Sequence, residues 1–111
     1  MDADDYQELA MRTAGEAFNE QDGLLLAALG LCGESGEVAD IVKKHLFHAH
    51  PLDIGKLRKE AGDVAWYLAR LCTAMDWELS GVLAENIEKL HARYPDGFDP
   101  ERSLHREGEQ P

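Results

Sequence analysis

Apolar residues recur along the chain at intervals of three and four, which is the period of a helix with one buried face. This spacing predicts four helices, over residues 4–18, 24–46, 54–75 and 78–93. Polar and turn-forming residues separate these segments. The pattern therefore predicts an all-α chain.

Turn and cap residues set the predicted ends of the first three helices. The inward-facing residues of the first helix should be Leu9, Met11, Ala14, Ala17 and Phe18. Gly15 weakens that helix. Residues 19–23 form a polar turn in which Asp22 is the expected N-cap of the second helix. A proline-containing loop follows over residues 45–52, and Asp53 is the expected N-cap of the third helix.

The third helix is apolar on almost every side from Asp63 onward. Its apolar residues there are Val64, Ala65, Trp66, Tyr67, Leu68, Ala69, Leu71, Cys72, Ala74 and Met75. A helix without a clear polar face is buried on more than one side. Because a chain of 111 residues offers little to cover both sides, we expect an obligate oligomer, most simply a homodimer.

The fourth helix carries one apolar stripe and then stops at a turn. The stripe consists of Leu79, Val82, Leu83, Ile87 and Leu90. Pro95 and Gly97 mark the turn. The polar segment from residue 98 onward has no helical period, and its end from Arg106 should be loose. We expect a single domain over residues 1–98 and a polar tail over residues 99–111.

Two pairs of carboxylates lie in helical segments among apolar or small neighbours. Glu34 and Glu37 form the first pair, and Glu60 and Asp63 the second. Residues three apart share one helix face, so these acids should point toward the core. Buried carboxylates without partners would cost several kcal/mol each. A hard divalent cation such as Mg²⁺, which takes oxygen ligands, removes that cost.

The distances along the two helices bring the acid pairs together. Glu37 precedes the predicted helix end at residue 46 by about 13 Å, and Glu60 follows the helix start at residue 53 by about 10 Å. If the helices are antiparallel, both pairs lie at nearly the same height. The four carboxylates would then form a metal site.

Glycines and polar stripes lie near these acids. Gly30, Gly33 and Gly36 are spaced by three, which suits the close approach of another helix or of a ligand. The third helix has one stripe of Lys56, Glu60, Asp63 and Tyr67, and the fourth has one of Asn86, Lys89 and Arg93. The stripe on the third helix combines a cation, which can bind a phosphate, with two acids, which can bind a metal, and an aromatic residue. Solvated ion pairs are the alternative interpretation of both stripes.

Histidines and cysteines do not indicate a further site. His45, His48 and His50 fall in the predicted loop without a nearby cysteine, and their spacing matches no closed zinc site. Cys32 and Cys72 lie in apolar helical runs, where small core residues are expected.

Composition narrows the function classes. The net charge is −11, from 22 acidic and 11 basic residues, which disfavours binding to nucleic acid because a phosphate backbone requires a basic surface. No apolar run is long enough for a membrane span, and the acidic start differs from a secretory signal. We expect a soluble cytoplasmic protein.

The chain resembles a known family in more than its acids. The pattern Glu34-x-x-Glu37, 22 further residues and Glu60-x-x-Asp63 is similar to the signature of the MazG-like, all-α nucleoside triphosphate pyrophosphohydrolases. The segments GLCGESGEVAD, EAGDVAWYL, NIEKL and RYPDGF also resemble that family. The likeness extends over residues 24–98.

The resemblance implies a four-helix bundle that assembles as a dimer or a dimer of dimers. It also implies hydrolysis of a nucleoside triphosphate, or its deoxy form, to the monophosphate and pyrophosphate. Such an activity would serve either house-cleaning of damaged nucleotides or trimming of the normal nucleotide pool. By the same likeness, Mg²⁺ or Mn²⁺ would be held by Glu34, Glu37, Glu60 and Asp63. Glu37 is the candidate for orienting the attacking water, with a role as a metal ligand only as the alternative. The implied nucleotide contacts are Lys56, Tyr67, Asn86, Lys89 and Arg93.

Two other functions compete with hydrolysis. A di-iron carboxylate bundle would use Glu-x-x-His motifs, whereas both motifs here end in a carboxylate, and all-oxygen ligands favour Mg²⁺ or Mn²⁺. A non-catalytic helical interaction module would use the acids only in ion pairs. Metal titration separates the three hypotheses.

Overall fold

The protein is all-helical in the part of the chain that the structure, a computed structural model, describes, which is residues 1–15 and 20–105. Its helices are α1 (Ala3–Met11), α2 (Glu20–Phe47), α3 (Ile54–Ala74), α4 (Leu79–Arg93) and α5 (Pro100–Leu104). They belong to two compact units, Met1–Leu79 and Ser80–Pro111. Within the described ranges, no helix is long and apolar enough to cross a bilayer.

Helix α1 is shorter than the pattern predicts. It starts at a capping box formed by Asp2 and Asp5. The backbone N–H of each of these residues donates to the side-chain carboxylate of the other. It ends at Met11, four residues before Gly15, which adopts a left-handed φ of 78°. The sequence pattern predicts that the first helix continues to residue 18. That prediction is wrong over residues 12–15, which follow the end of α1. Leu9 is exposed, and the predicted inward residues Ala17 and Phe18 lie outside the described residues.

Helix α2 is longer than predicted at both ends. It begins at Glu20, so Asp22 lies inside the helix and the predicted polar turn is wrong over its described part. Tertiary packing explains this start, because Gly23 is buried beside the guanidinium of Arg70 on α3. At the other end, α2 continues to Phe47 and includes His45, where a basic residue complements the helix dipole.

Helix α3 begins and ends almost where the sequence predicts. It covers Ile54–Ala74, and the Asp53 side chain accepts a hydrogen bond of 3.0 Å from the backbone N–H of Lys56. The prediction that Asp53 is the N-cap is confirmed. This cap satisfies one of the free N–H groups of the first turn.

Helices α2 and α3 pack against each other in antiparallel directions. Two contacts establish this arrangement. Gly30 faces Tyr67, and Gly23 faces Arg70. Residues nearer the start of α2 therefore contact residues nearer the end of α3. The predicted antiparallel pairing is confirmed.

Hydrogen bonds from two side chains hold α1 onto α3 and the segment after it. The indole N–H of Trp66 donates to the carbonyl of Ala10 at 3.1 Å and to the Thr13 hydroxyl at 2.9 Å. The amide of Gln7 donates to Trp77 O at 2.9 Å and accepts from the Leu79 N–H at 2.8 Å. Helix α1 therefore covers one side of the apolar half of α3.

Few apolar residues of the described chain are fully buried, and many are exposed. The buried apolar residues are Ala27, Ala69, Cys72 and Leu79. On the outer side of α2, by contrast, Leu25 and Leu29 keep 55% and 64% of their surface exposed. Burial raises the pKa of the Cys72 thiol. The prediction that Cys32 is also a core residue is wrong, because it is exposed.

The second unit contains a turn that was predicted and a helix that was not. Gly97 has a φ of 95°, and its N–H donates to Tyr94 O at 3.1 Å, as expected for a turn. Helix α5 then starts at Pro100, and the side chain of its N-cap, Asp99, accepts from the Glu101 N–H at 2.9 Å. The predicted absence of helix after residue 98 is wrong, because a helix this short gives no periodic signal. Residues 106–111, including Arg106, lie outside the described residues.

Candidate metal centre

Three carboxylates from α2 and α3 converge. Glu34 comes from α2, and Glu60 and Asp63 come from neighbouring turns of α3. One oxygen from each lies within 4.8 Å of the others. The antiparallel pairing of the helices creates this cluster, because it sets the middle of α2 beside the first half of α3.

The three acids lie at the edge of the helix interface. Glu34 and Glu60 are half-buried, and Asp63 is exposed. The expectation that all the acids point into the core is therefore wrong. Because each of the three residues is at least partly exposed, water and a ligand have access to them.

The cluster carries more negative charge than its surroundings compensate. The pKa of Glu34 rises to about 7, chiefly because its carboxyl shares a hydrogen bond with Glu60. Partial burial and the charges of Glu60, Asp63 and Glu37 raise it further. The hydrogen bond between these two carboxyls requires a proton on one of them, and a divalent cation would relieve the same crowding of negative charge.

A divalent cation with oxygen ligands fits this group of side chains. All three donors are carboxylates, which hard cations prefer. Ligands of an octahedral Mg²⁺ lie within roughly 4.2 Å of one another, since each bond is about 2.1 Å long. The observed separation therefore closes with a small rotation of the side chains. Among the described residues, no histidine belongs to the group.

Glu37 lies one turn beyond Glu34 on α2 and is exposed. Its charge contributes to the raised pKa values of both Glu34 and Lys44. Within the described chain it is not a member of the three-carboxylate group. The structure thus brings together three of the four predicted ligands, with Glu37 beside them.

Tyr6 on α1 is a neighbour of the site that the sequence did not indicate. Its pKa is raised by burial and, to a smaller extent, by the negative charge of Asp63. Only the packing of α1 against α3 places this phenol near the acids. The capping box before Tyr6 marks the start of α1 in the sequence, but no local signal indicates that Tyr6 lies near Asp63.

Lys56 and Tyr67 lie on either side of the acids along α3. Lys56 is exposed and precedes Glu60 by one turn. Tyr67 is half-buried, and its ring contacts Gly30 and packs edge-on against Trp66 with centroids 4.9 Å apart. All four residues of the predicted stripe lie in α3, and the assignment of Lys56 and Tyr67 to nucleotide binding stays a prediction.

The remaining predicted nucleotide contacts are on α4. Asn86 and Lys89 are exposed and Arg93 is half-buried. Their spacing places them on one side of this helix. Arg102 of α5 donates from Nε to the carbonyl of Arg93 at 2.6 Å. The assignment of the three side chains to nucleotide binding stays a prediction.

Comparison with known proteins identifies the family. Residues 23–98, which include both acid pairs, match the sequence family of the MazG nucleotide pyrophosphohydrolase domain. The chain therefore belongs to the MazG family. It is also similar to the Gene 37 protein of Mycobacterium phage L5, with 37% identity over 102 residues, covering 84% of this chain and 89% of the relative. No solved structure matches the chain significantly.

Proposed function

We propose that this protein hydrolyses a nucleoside triphosphate, or its deoxy form, to the nucleoside monophosphate and pyrophosphate, with Mg²⁺ as cofactor. In this reaction water adds across the bond between the α- and β-phosphates. The monophosphate and pyrophosphate together take up its oxygen and protons.

One observation carries the proposal. Glu34, Glu60 and Asp63 present oxygen atoms within 4.8 Å of one another, inside the segment that matches the MazG domain. Family membership favours a nucleotide substrate, and the carboxylate group supplies a site for a cation that binds phosphates. The carboxylate group alone would not distinguish a hydrolase from an acidic surface, and the family match alone would not locate the metal site.

The three carboxylates would hold the Mg²⁺, and Glu37 would accept a proton from the attacking water or orient it. When bound there, Mg²⁺ lowers the pKa of a bound water and neutralises charge on phosphoryl oxygens. Mn²⁺ would substitute for Mg²⁺ because it also prefers oxygen ligands. Lys56 can pair with a phosphate from the turn before Glu60.

The other nucleotide contacts rest on the family resemblance. We propose that Tyr67, Asn86, Lys89 and Arg93 bind the nucleotide. Alanine variants of each should raise KM for the triphosphate more than they lower kcat, if they bind substrate and transition state equally. The proposed role in house-cleaning depends on a preference for altered nucleotides, which the panel described below measures.

We also propose that the protein is a homo-oligomer, either a dimer or a dimer of dimers. Exposed leucines on α2 and the small number of fully buried residues in the described chain support this, because exposed apolar patches mark interaction surfaces. Size-exclusion chromatography with light scattering measures the mass. A folded monomer at low micromolar concentration would contradict the proposal.

The test of the activity is a panel of common and modified nucleoside triphosphates incubated with Mg²⁺. Release of pyrophosphate and monophosphate in equal amounts supports the proposed reaction, whereas single phosphate release indicates a different cleavage. An iron-loaded, coloured protein would instead favour a di-iron carboxylate site. No response to any metal would favour a non-catalytic interaction module.

A further inference from the structure

Arg70 is a buried cation in the apolar half of α3. It keeps only 8% of its surface exposed, and its Nε is buried without a hydrogen-bond partner in the described part of the chain. The ion pairs found among the described residues involve Asp40 and Glu101, and none includes Arg70. Arginine does not lose its proton in proteins, and a buried charge without a counter-charge is strongly destabilising. Arg70 therefore requires an anionic partner.

The guanidinium group of Arg70 lies at the start of α2. Its Nη2 and Nη1 are 3.1 and 3.6 Å from the position that a Cβ on Gly23 would take. Gly23 is buried and belongs to the first turn of α2, which begins at Glu20. The first N–H groups of a helix have no acceptor within it and carry a partial positive charge. Two positive groups thus adjoin each other at this end of α2, and an anion stabilises such an arrangement.

Asp22 also belongs to the first turn of α2, but it lies on a different face from Gly23. It lines a hollow together with three leucines of that face, Leu25, Leu26 and Leu29. Gly23 instead shares its face with Ala27, which is fully buried, and with Gly30, which contacts α3. The face of α2 that Arg70 contacts therefore presents glycine and alanine rather than a carboxylate.

The contact between Gly30 and Tyr67 separates Arg70 from the carboxylate group. Along α3, Arg70 follows Asp63 by seven residues, which is about 10 Å, and Tyr67 lies between them. Along α2, the first turn lies before Gly30, whereas Glu34 lies after it. The buried arginine and the carboxylates therefore occupy different parts of the interface between α2 and α3.

We propose that Arg70 and the first turn of α2 bind a phosphate-type oxyanion at a site of their own. A guanidinium group can donate two parallel hydrogen bonds to such an anion, and the free N–H groups of the helix start add further donors. The anion would supply the counter-charge that Arg70 lacks among the described residues, and it would hold α2 against α3. This inference does not rest on the proposed hydrolysis, because no residue of the site belongs to the carboxylate group. Inorganic phosphate and pyrophosphate offer the same chemistry, and the test separates them.

The test measures anion binding by the full-length protein in EDTA, so that no divalent cation contributes. Inorganic phosphate and pyrophosphate are each titrated calorimetrically at constant ionic strength, with sodium chloride as the background salt. Arg70→Met removes the charge and keeps a long side chain, whereas Arg70→Lys keeps the charge without the planar fork. Arg58→Met is the matched control, because Arg58 is an exposed arginine of the same helix.

Arg70→Met should weaken phosphate binding at least about tenfold, because it removes the charge-assisted hydrogen bonds. Arg70→Lys should have an intermediate affinity, and Arg58→Met should keep that of the wild type. Tighter binding of pyrophosphate than of phosphate assigns the site to pyrophosphate, and the reverse order assigns it to free phosphate.

Melting temperatures measure the same binding through stability. Phosphate should raise the Tm of the wild type above its value in chloride by more than it does for Arg70→Met. The comparison between the two proteins is needed because phosphate also stabilises folded proteins through exclusion from their surface. Equal shifts in both proteins would contradict binding at Arg70.

Absence of saturable binding of either anion to the wild type would overturn the inference. So would equal losses in Arg70→Met and Arg58→Met, which would indicate a diffuse effect of charge. Glu60→Gln should keep the phosphate affinity of the wild type, and a loss there would place the anion beside the carboxylate group instead. If circular dichroism shows that Arg70→Met does not fold, Arg70→Lys decides, and an unchanged affinity in that variant rejects the site.

The outcomes also separate this site from the proposed reaction. Triphosphate hydrolysis by a protein that binds neither anion in EDTA rejects only the site. Anion binding that is lost in Arg70→Met, in a protein that hydrolyses no triphosphate, rejects only the proposed reaction.

Discussion

The ring of Tyr67 on α3 fills the space that the missing side chain of Gly30 leaves on α2. A Cβ built on Gly30 would overlap three atoms of that ring. Of the three glycines spaced by three on α2, only this one has such a contact in the described chain, since Gly33 and Gly36 have nothing within 4 Å. Among these three glycines, Gly30 alone permits a close contact between α2 and α3; nearer the start of α2, Gly23 does so beside Arg70.

Gly30→Ala should destabilise the protein. The added methyl must displace the Tyr67 ring, and overpacking of this kind costs typically about 1–3 kcal/mol, partly offset by a gain of up to about 1 kcal/mol in helix propensity. Gly62→Ala is the matched control, because Gly62 lies in α3 with nothing within 4 Å and should stabilise. Urea unfolding measures both, and a gain in stability for Gly30→Ala would show that the ring moves freely.

Glu60→Gln should remove activity and leave the fold intact. Loss of outer-shell partners of a metal already costs about 10- to 100-fold, so loss of a ligand should lower kcat by at least about 100-fold. Stability should not fall, because the substitution removes one of several crowded carboxylates. Pyrophosphate release and circular dichroism measure the two effects. Glu8→Gln, an exposed position on α1, is the control, and wild-type turnover by Glu60→Gln would exclude the proposed site.

The metal-free protein should lose stability as pH rises toward 7. Glu34 has a pKa of about 7 in the folded protein, above its ordinary value of 4.5. The folded state therefore binds more protons than the unfolded state between these values, and the free energy of unfolding falls with rising pH across that window. Glu34→Gln removes this term.

Thermal melts in EDTA at pH 5 and pH 8 check this prediction. The loss of stability between the two pH values should be smaller in Glu34→Gln than in wild type. The Glu8→Gln control should match wild type. An identical pH dependence in all three proteins would mean that Glu34 does not hold a proton at neutral pH.

Divalent cations should stabilise the native protein. A ligand at 100 times its Kd adds about 2.7 kcal/mol when it binds only the folded state. Mg²⁺ should therefore raise Tm in the wild type, and Asp63→Asn should reduce the shift at equal Mg²⁺ concentration. Differential scanning fluorimetry measures both. Equal shifts in the two proteins would place the cation elsewhere.

Gln7→Ala should destabilise the packing of α1. Gln7 donates to Thr73 Oγ1 at 3.1 Å and to Trp77 O, and it accepts from the N–H of Leu79. Its loss leaves the Leu79 N–H without this acceptor, and an unsatisfied, partly buried group costs about 1–3 kcal/mol. Urea unfolding measures the change, with Glu8→Ala as control. Equal stabilities would show that water replaces the Gln7 amide.

The sequence predicts α3 and the turn at Gly97 well because their signals are local. Asp53 caps its own helix, and Gly97 adopts its own positive φ. Predictions fail where a distant residue decides the outcome. Asp22 is a residue type that often caps helices. Packing of Gly23 against Arg70 nevertheless starts α2 before it, at Glu20. The prediction of one domain over residues 1–98 and the expected cytoplasmic location stay predictions.

The spacing of the acids and the family are determined by the sequence alone, whereas the antiparallel pairing of α2 and α3 was a condition that the tertiary contacts met. Helical periodicity is a local property, and it fixes which side chains share a face. Only the tertiary structure decided that Glu34, Glu60 and Asp63 converge at an exposed edge, with Glu37 and Tyr6 beside them. The reason is that distances between side chains on different helices depend on how closely the backbones approach, and here Gly30 and Tyr67 set that approach.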